Sequence, residues 1–329
     1  MKTWYASLFG VAETDRAPAL GFRVDGERLV TPDGRSFGIG RFAAPRLDEL
    51  RAHARSVGES GELRIVHEAI GDVLELHARP ENAGAMFQVA SQLNALEFPS
   101  PSTVPEDGVT GYAGDPTQGP ACALAAAAAT VYRNDFLPVD GHVGQSERHQ
   151  LELAADLEAE LKHHFFVQNG YLLSTPDRIA GLEATLADRD HAAWCDLVRI
   201  GVQSRVEVTF AQRFVAPEAP QHVSQAFCSA AACGYAPSVS PTHWAPLATV
   251  LLDALYEATL WAAVIDRAEG RGTGKVWLTF VGGGVFGNAP RWIAHAIRRA
   301  VDRARGFALD VHIAHYRSLD PRYVRLVDG

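Results

Sequence analysis

The sequence predicts a three-layer α/β/α fold, a mixed sheet flanked by helices, carrying an N-terminal extension and a helical and hairpin insertion. Three observations carry this expectation. From Leu63 onward short apolar runs alternate with longer helical patterns. The runs are apolar enough for strands covered on both faces, and the chain ends in a strand, glycine loop, helix, strand order.

Residues 1–62 form the extension. Asp25-Gly26 and Asp33-Gly34 are turn pairs beside short runs at 27–30 and 36–39, which predicts a small hairpin. Leu47, Leu50 and Ala54 then recur at helical spacing, predicting an amphipathic helix over 46–56. Residues 63–329 read as one compact core. Its first segments, 63–72 and 85–93, are expected as buried strands, and the alanine-rich stretch 121–133 as one helix with proline in its first turn. An insertion over about 135–205 is expected to hold a helix at 146–164, a hairpin turning at Asn169-Gly170 and a second helix at 176–199. No motif in it implies chemistry. His163-His164 lack a third ligand at a metal-like spacing, so no metal is expected. The alternation resumes with strands at 205–214 and within 223–237, a long buried helix at 243–268 and a strand at 275–281. A helix at 291–304 with Ile293, Ile297 and Val301 on one face follows, then a closing strand at 309–316.

Composition narrows the function classes. The 329 residues, 47% hydrophobic and 21% charged, describe a globular chain with room for a sizeable core. Thirty Lys and Arg against 39 Asp and Glu leave a formal charge of −9, and no stretch concentrates basic residues. Direct electrostatic binding of nucleic acid is therefore not expected. Cys122, Cys195, Cys228 and Cys233 are scattered, without metal-ligand spacing, and read as reduced thiols of a cytoplasmic protein. No signal peptide and no membrane span are expected.

Two loops and one strand end carry the candidate chemistry. Val281 leads through Gly282, Gly283, Gly284, Val285, Phe286, Gly287 and Asn288 into a helix opened by Pro290. Glycines admit positive φ and let amides approach a ligand unobstructed, as a pyrophosphate cradle requires; a bare turn is the alternative. The second loop contains Asp115, Gln118, Gly119 and Ala121 and runs into the small-residue helix. Free N–H groups in a first helical turn suit a phosphate or a ribose hydroxyl, and tight packing on the sheet is the alternative. At the end of the strand over 85–93 stand Gln88, Ser91, Gln92 and Asn94, able to read sugar hydroxyls or to satisfy loop backbone.

These pieces in this order resemble the macrodomain family, whose fold binds ADP-ribose in a cleft above a mixed sheet. Gly284-Val285-Phe286-Gly287 is similar to that family's second phosphate-binding loop. The resemblance covers about 63–135 and 205–320 and implies a macrodomain-like sheet, with ADP-ribose or an ADP-ribosylated macromolecule as partner and no further cofactor. It implies that amides from Gly283 to Gly287 hold the pyrophosphate, flanked by Gly282 and Asn288, and that Phe286 flanks the distal ribose. By the same likeness Tyr316 stacks on adenine and Asp72, after Gly71, accepts from the adenine amino group. Gln88 stands where the family has a first asparagine, and Ser91, Gln92 and Asn94 compete for the second. The family's first-loop glycine triplet is replaced by residues 117–124, which marks a divergent branch. Relatives that cleave poly(ADP-ribose) carry paired glutamates at the start of the first-loop helix; no pair exists here.

Three functions fit. In the first the chain hydrolyses an ADP-ribose linkage at the distal ribose, through an oxocarbenium-like state served either by a carboxylate, Asp115 or Glu97, or by a phosphate-activated water, with Asn94 as a further catalytic candidate. Alternatively it is a non-catalytic reader of ADP-ribose. A nicotinamide-dependent oxidoreductase is the third, disfavoured because the glycine cluster follows a late strand and no GxGxxG lies in 61–100. A thiol nucleophile at Cys228 or Cys233 is disfavoured because cysteine there packs as a small hydrophobe. ADP-ribose binding requires Gly119 and Gly284 to share one cavity.

Overall fold

The computed structural model describes residues 3–58, 61–209 and 220–328. The central sheet is built from β1 (Arg41–Ala43), β2 (Arg64–Ile70), β3 (Met86–Ala90), β4 (Gly201–Glu207), β5 (His222–Cys228), β6 (Lys275–Leu278) and β7 (Asp310–Tyr316). Their order across the sheet is β1-β4-β5-β3-β6-β7-β2. Pairing is parallel from β5 through β3, β6 and β7 to β2, while β4 runs antiparallel to both β5 and β1. One face is covered by α1 (Leu47–Ser56), α5 (Pro241–Ala268) and α6 (Pro290–Ala304), with α7 (Pro321–Asp328) against α6. On the other lie α2 (Val73–Ala78), α3 (Gln118–Ala125) and α4 (Ala127–Asp135). The expected three-layer arrangement is thus the observed one.

The extension is stitched into this body. Its turn pairs build a three-stranded meander of Arg23–Asp25, Arg28–Val30 and Ser36–Gly38, and its last strand, β1, is an edge of the main sheet. One continuous core joins Tyr5 and Phe9 of the extension to Phe165 and Tyr171 of the insertion.

Helix α5 is long and apolar enough to cross a membrane by length and composition, contrary to the expectation that no segment is. It is buried almost throughout, against α1, α6, β5 and β6, which accounts for apolar residues around its whole circumference. Its buried Asp253 and Glu257 are met by Arg51, Arg299 and Arg303 from the neighbouring helices.

Four further expectations change. The strand over 63–72 is an edge, half exposed, because among the described residues only β7 pairs with it. The stretch 121–133 breaks at Ala126 into α3 and α4 because Thr209 inserts there: its N–H donates to the Ala125 carbonyl and its hydroxyl accepts from the Ala127 amide. In the insertion only Ala155–Leu161 of 146–164 is helical, since the preceding residues are pinned to the loop after β3. The Leu153 amide donates to the Leu93 carbonyl, and Asn94 donates to the Gln150 side chain. Residues 176–199 divide into three short helices, interrupted at Gly181 with φ 78°. Of the strand read over 205–214, β4 covers the first residues, and 210–214 lie outside the described residues.

Replacing Thr209 by valine keeps the volume but leaves the Ala127 N–H buried without an acceptor. Denaturant unfolding is expected to lose about 1–3 kcal/mol; an unchanged midpoint would show that the helix break is held by something else.

Candidate functional site

A cleft opens where two neighbouring strands part. β3 pairs with β6 only at Met86 and Phe87, whereas its pairing with β5 continues to Ala90. The parting strands expose backbone groups that must find partners. Two glutamines supply them. Gln118, at the start of α3, donates to the Gln88 carbonyl and accepts from the Ala90 amide, both at 2.8 Å. The Gln88 side chain accepts from the Thr279 amide at 3.3 Å and donates to Thr259 at 3.1 Å.

The cleft has two lobes that share Asp115, Thr117, Gln118 and Thr279. One, of 690 Å³, is lined by Ile70, Asp72, Ala121, Trp277 and Tyr316. The other, of 650 Å³, is lined by Glu97, Gly119, Tyr171, Tyr235, Gly284 and Phe286. Gly119 and Gly284 therefore face one cavity, as ADP-ribose binding requires.

The glycine loop after β6 is shaped by close approach. Gly282 and Gly287 have φ of 75° and 71°. The Gly234 amide donates to the Phe286 carbonyl at 2.9 Å, and a β-carbon on Gly234 would stand 2.2 Å from the Val285 oxygen. Asn288, 3% exposed, is turned inward: its side chain donates to the Ala231 and Gly282 carbonyls and its amide to Gly282. It latches the loop, which corrects its expected place at the ligand. The amides of Gly283 and Gly287 are also taken, by Phe280 and Gly284 carbonyls. Four N–H groups of this loop, on Gly282, Gly284, Val285 and Phe286, have no acceptor among the described residues.

Opposite stands the first turn of α3. Asp115 accepts from the Thr117 amide at 2.8 Å and so shapes the approach to the helix. The N–H groups of Gln118 and Gly119 have no acceptor among the described residues, while the Ala121 amide already bonds the Thr117 carbonyl. Glycine is required at 119 because a β-carbon there would lie 2.1 Å from the Ala90 oxygen. Six residues with open amides thus line the second lobe, Gln118 bordering both, and among the described residues no Lys, Arg or His lines either lobe. Such a site holds an anion by backbone dipoles rather than by side-chain charge.

Glu97 lines the second lobe, 1% exposed. One carboxyl oxygen lies 3.5 Å from the Arg133 guanidinium, itself fully buried, and the other has no partner among the described residues. Burial raises the Glu97 pKa from 4.5 to about 7, and Arg133 pulls against that rise. Arg133 is tied down by the Ala95 carbonyl and Gln203, and lies over the Phe227 ring at 3.9 Å. The Glu97 amide donates to the Tyr112 hydroxyl at 3.1 Å. Tyr112 belongs to the turn Thr110–Gly114, which contributes Gly111 and Gly114 to the lining. That turn is held by the extension: Trp4 donates to the Thr110 carbonyl, and Glu13 accepts from the Val109 and Thr110 amides.

The remaining expected residues divide. In the first lobe Asp72 caps α2 by accepting from the Leu74 amide, and its second oxygen has no partner among the described residues. Tyr316 is 67% exposed there, with the Arg317 guanidinium over its ring at 4.8 Å. The polar residues at the end of β3 serve the protein instead of an open site. Gln88 and Gln118 bridge the parted strands, and Gln92 clamps the Phe98 amide and carbonyl. Ser91 borders the second lobe, its hydroxyl donating to the Gln92 carbonyl. Asn94 lies outside both linings, fully buried, accepting from the Leu96 amide and donating to Gln150; this corrects its expected catalytic place.

The expectation that the insertion carries no chemistry also changes, because its hairpin brings Tyr171 into the second lobe. Tyr171, Tyr235 and Phe286 pack with ring centroids 5.0, 5.4 and 5.7 Å apart, and the Tyr171 hydroxyl donates to the Phe98 carbonyl. Asn169-Gly170 signals the hairpin, but no pattern signals where it docks. A separate trio, His191, Cys195 and Asp253, has ligand atoms within 4.8 Å of one another. Burial pushes the Cys195 thiol up to about 12, and the Arg299 guanidinium already stands 3.3 Å from Asp253, so the trio does not suit a cation.

No family model and no curated protein matches the chain. Among solved structures it is similar to poly(ADP-ribose) glycohydrolase from Deinococcus radiodurans in complex with ADP-ribose. That likeness has 16% identity over 87% of this chain and 90% of that one, with a TM-score of 0.47. It is also similar to the poly(ADP-ribose) glycohydrolase from Thermomonospora curvata bound to the inhibitor ADP-HPD, at 16% identity over 91% of each chain and a TM-score of 0.43. Neither likeness carries a residue role or an activity to this chain.

Proposed function

We propose that the cleft binds ADP-ribose and that the protein hydrolyses the linkage between its distal ribose and an attached group. The observation that carries this reading is the set of six open amides, on Gly282, Gly284, Val285, Phe286, Gln118 and Gly119, which line the second lobe and, at Gln118, reach the first. A diphosphate spans that region. Adenine then lies with Asp72 and Tyr316, and the distal ribose lies with Phe286 above Glu97. The free thiols, three of them buried, accord with a reducing compartment, and on this reading the protein works in the cytoplasm.

Glu97 supplies the chemistry. As a neutral carboxylic acid it protonates the departing group while the anomeric C–X bond breaks. As the resulting carboxylate it faces the oxocarbenium-like carbon and takes the proton of the water that adds there. Its unpartnered oxygen supports that role. Asp115, its Oδ1 engaged by the Thr117 amide, shapes the loop at the rim. A reader without turnover is the second reading, favoured by the start of α3, where Gln118-Gly119-Pro120 carries no acid. It shares the binding mode and lacks the Glu97 step.

Binding is checked by melting the protein with millimolar ADP-ribose or NAD. ADP-ribose at 100 times its dissociation constant should add about 2.7 kcal/mol; a rise with NAD alone would favour the oxidoreductase. For turnover, kcat/KM is expected to fall as pH rises through about 7, where Glu97 loses its proton. Glu97→Gln should lower kcat by about 10²–10⁴-fold. Turnover unaffected by this change would remove the acid.

The same substitution tests the titration without substrate. The folded state holds the Glu97 proton up to about 7, whereas an unfolded glutamate releases it near 4.5. Between those values the folded state binds more protons, so this residue's contribution to stability declines as pH rises. Unfolding curves of Glu97→Gln should show a shallower decline over that window than the wild type.

A further inference from the structure

We infer that the group removed from ADP-ribose is a guanidine, as on an arginine side chain; this rests on the hydrolase reading above. The donors and acceptors of the second lobe point to this group. Among the described residues its only charged lining groups are Glu97 and Asp115, and no Lys, Arg or His is present. The side-chain amides that border it are committed: Gln92 to Phe98, and Gln118 to the end of β3. The Ser91 hydroxyl donates to the Gln92 carbonyl and that of Tyr171 to Phe98.

With the six open amides of this lobe assigned to the diphosphate on the reading above, what remains on offer is mostly acceptor. Asp115 keeps a carboxylate oxygen with no partner among the described residues, Glu97 has its buried unpartnered oxygen, and the Tyr171, Tyr235 and Phe286 rings form an aromatic wall. The Thr117 and Tyr235 hydroxyls can turn either way. A guanidinium is the matching group, being planar and cationic, with N–H donors only and an affinity for aromatic faces. A nucleobase would present carbonyl oxygens with few side-chain donors to meet them, and its phosphates would meet a chain of charge −9. An ester or ether linkage to aspartate or serine would leave the second Asp115 oxygen unmatched.

The step balances with water alone. The bond from the anomeric carbon to the guanidine nitrogen breaks, its electron pair goes to nitrogen, and Glu97 gives that nitrogen a proton. Guanidinium departs, water adds to the anomeric carbon, and the water's proton returns to Glu97. Nothing is oxidised or reduced.

The experiment offers the full-length protein three peptides carrying ADP-ribose on arginine, serine or glutamate, and an oligonucleotide carrying it on a base, with the affinity for free ADP-ribose measured in parallel. The expected result is a kcat/KM for the arginine linkage at least tenfold above the others. Asp115→Asn should bring that preference to within about twofold, by raising KM for the arginine peptide more than for the rest. ADP-ribose binding with another linkage cleaved as fast or faster overturns the inference and leaves the hydrolase reading standing. Binding with no linkage cleaved overturns both in favour of a reader. Absence of ADP-ribose binding overturns the binding reading and everything built on it. The wild-type ratio decides the matter even where the variant fails to fold.

Discussion

The site depends on one constraint: two strands that separate inside a sheet must have their freed backbone groups satisfied. Beyond Phe87, β3 loses β6 as a partner, and a gap left to itself would bury unpaired amides and carbonyls. Gln118 imitates a strand by giving β3 one donor and one acceptor, and Gln88 reaches across to Thr279. The same contact fixes the start of α3 over the gap. Open amides of α3 and of the glycine loop thereby come to border one space, so the cleft is a product of hydrogen-bond satisfaction at the split.

Glu97 shows a second balance. A carboxyl with almost no exposure is held next to one guanidinium at 3.5 Å, farther than a strong charge-assisted bond. Arg133 divides its donors among Ala95, Gln203 and Thr130 as well, so its pull does not offset the burial of the acid. A tighter, bidentate pair would hold the carboxylate ionised and inert. The looser arrangement leaves a proton on the group near neutrality.

Much of the fold is legible in the sequence because the cues are local. Apolar runs mark the strands, Asn169-Gly170 marks its hairpin, and the glycines before Pro290 mark a strand-to-helix loop at the cleft. Glu97, Asp115, Asp72 and Tyr316 stand out as site residues, and all four border the cleft. What the sequence conceals is tertiary in origin. The helix breaks at Ala126 because Thr209, far along the chain, takes the Ala125 carbonyl and the Ala127 amide. Gln88, Gln92, Asn94 and Asn288 carry the right groups for reading sugars, yet each is claimed by partners within the protein that periodicity cannot reveal. Tyr171, Tyr235 and Arg133 reach the site through docking of segments whose own pattern says only hairpin, turn and helix.

The hold of Trp4 and Glu13 on the turn Thr110–Gly114 bears on how this protein is handled in the laboratory. A truncation planned from domain boundaries would discard both residues as an appendage and release part of the ceiling above Glu97. The resulting protein would be well packed at its centre and impaired at its mouth. A shortened clone that fails in the binding and turnover assays speaks to its damaged rim and leaves the proposed chemistry untouched.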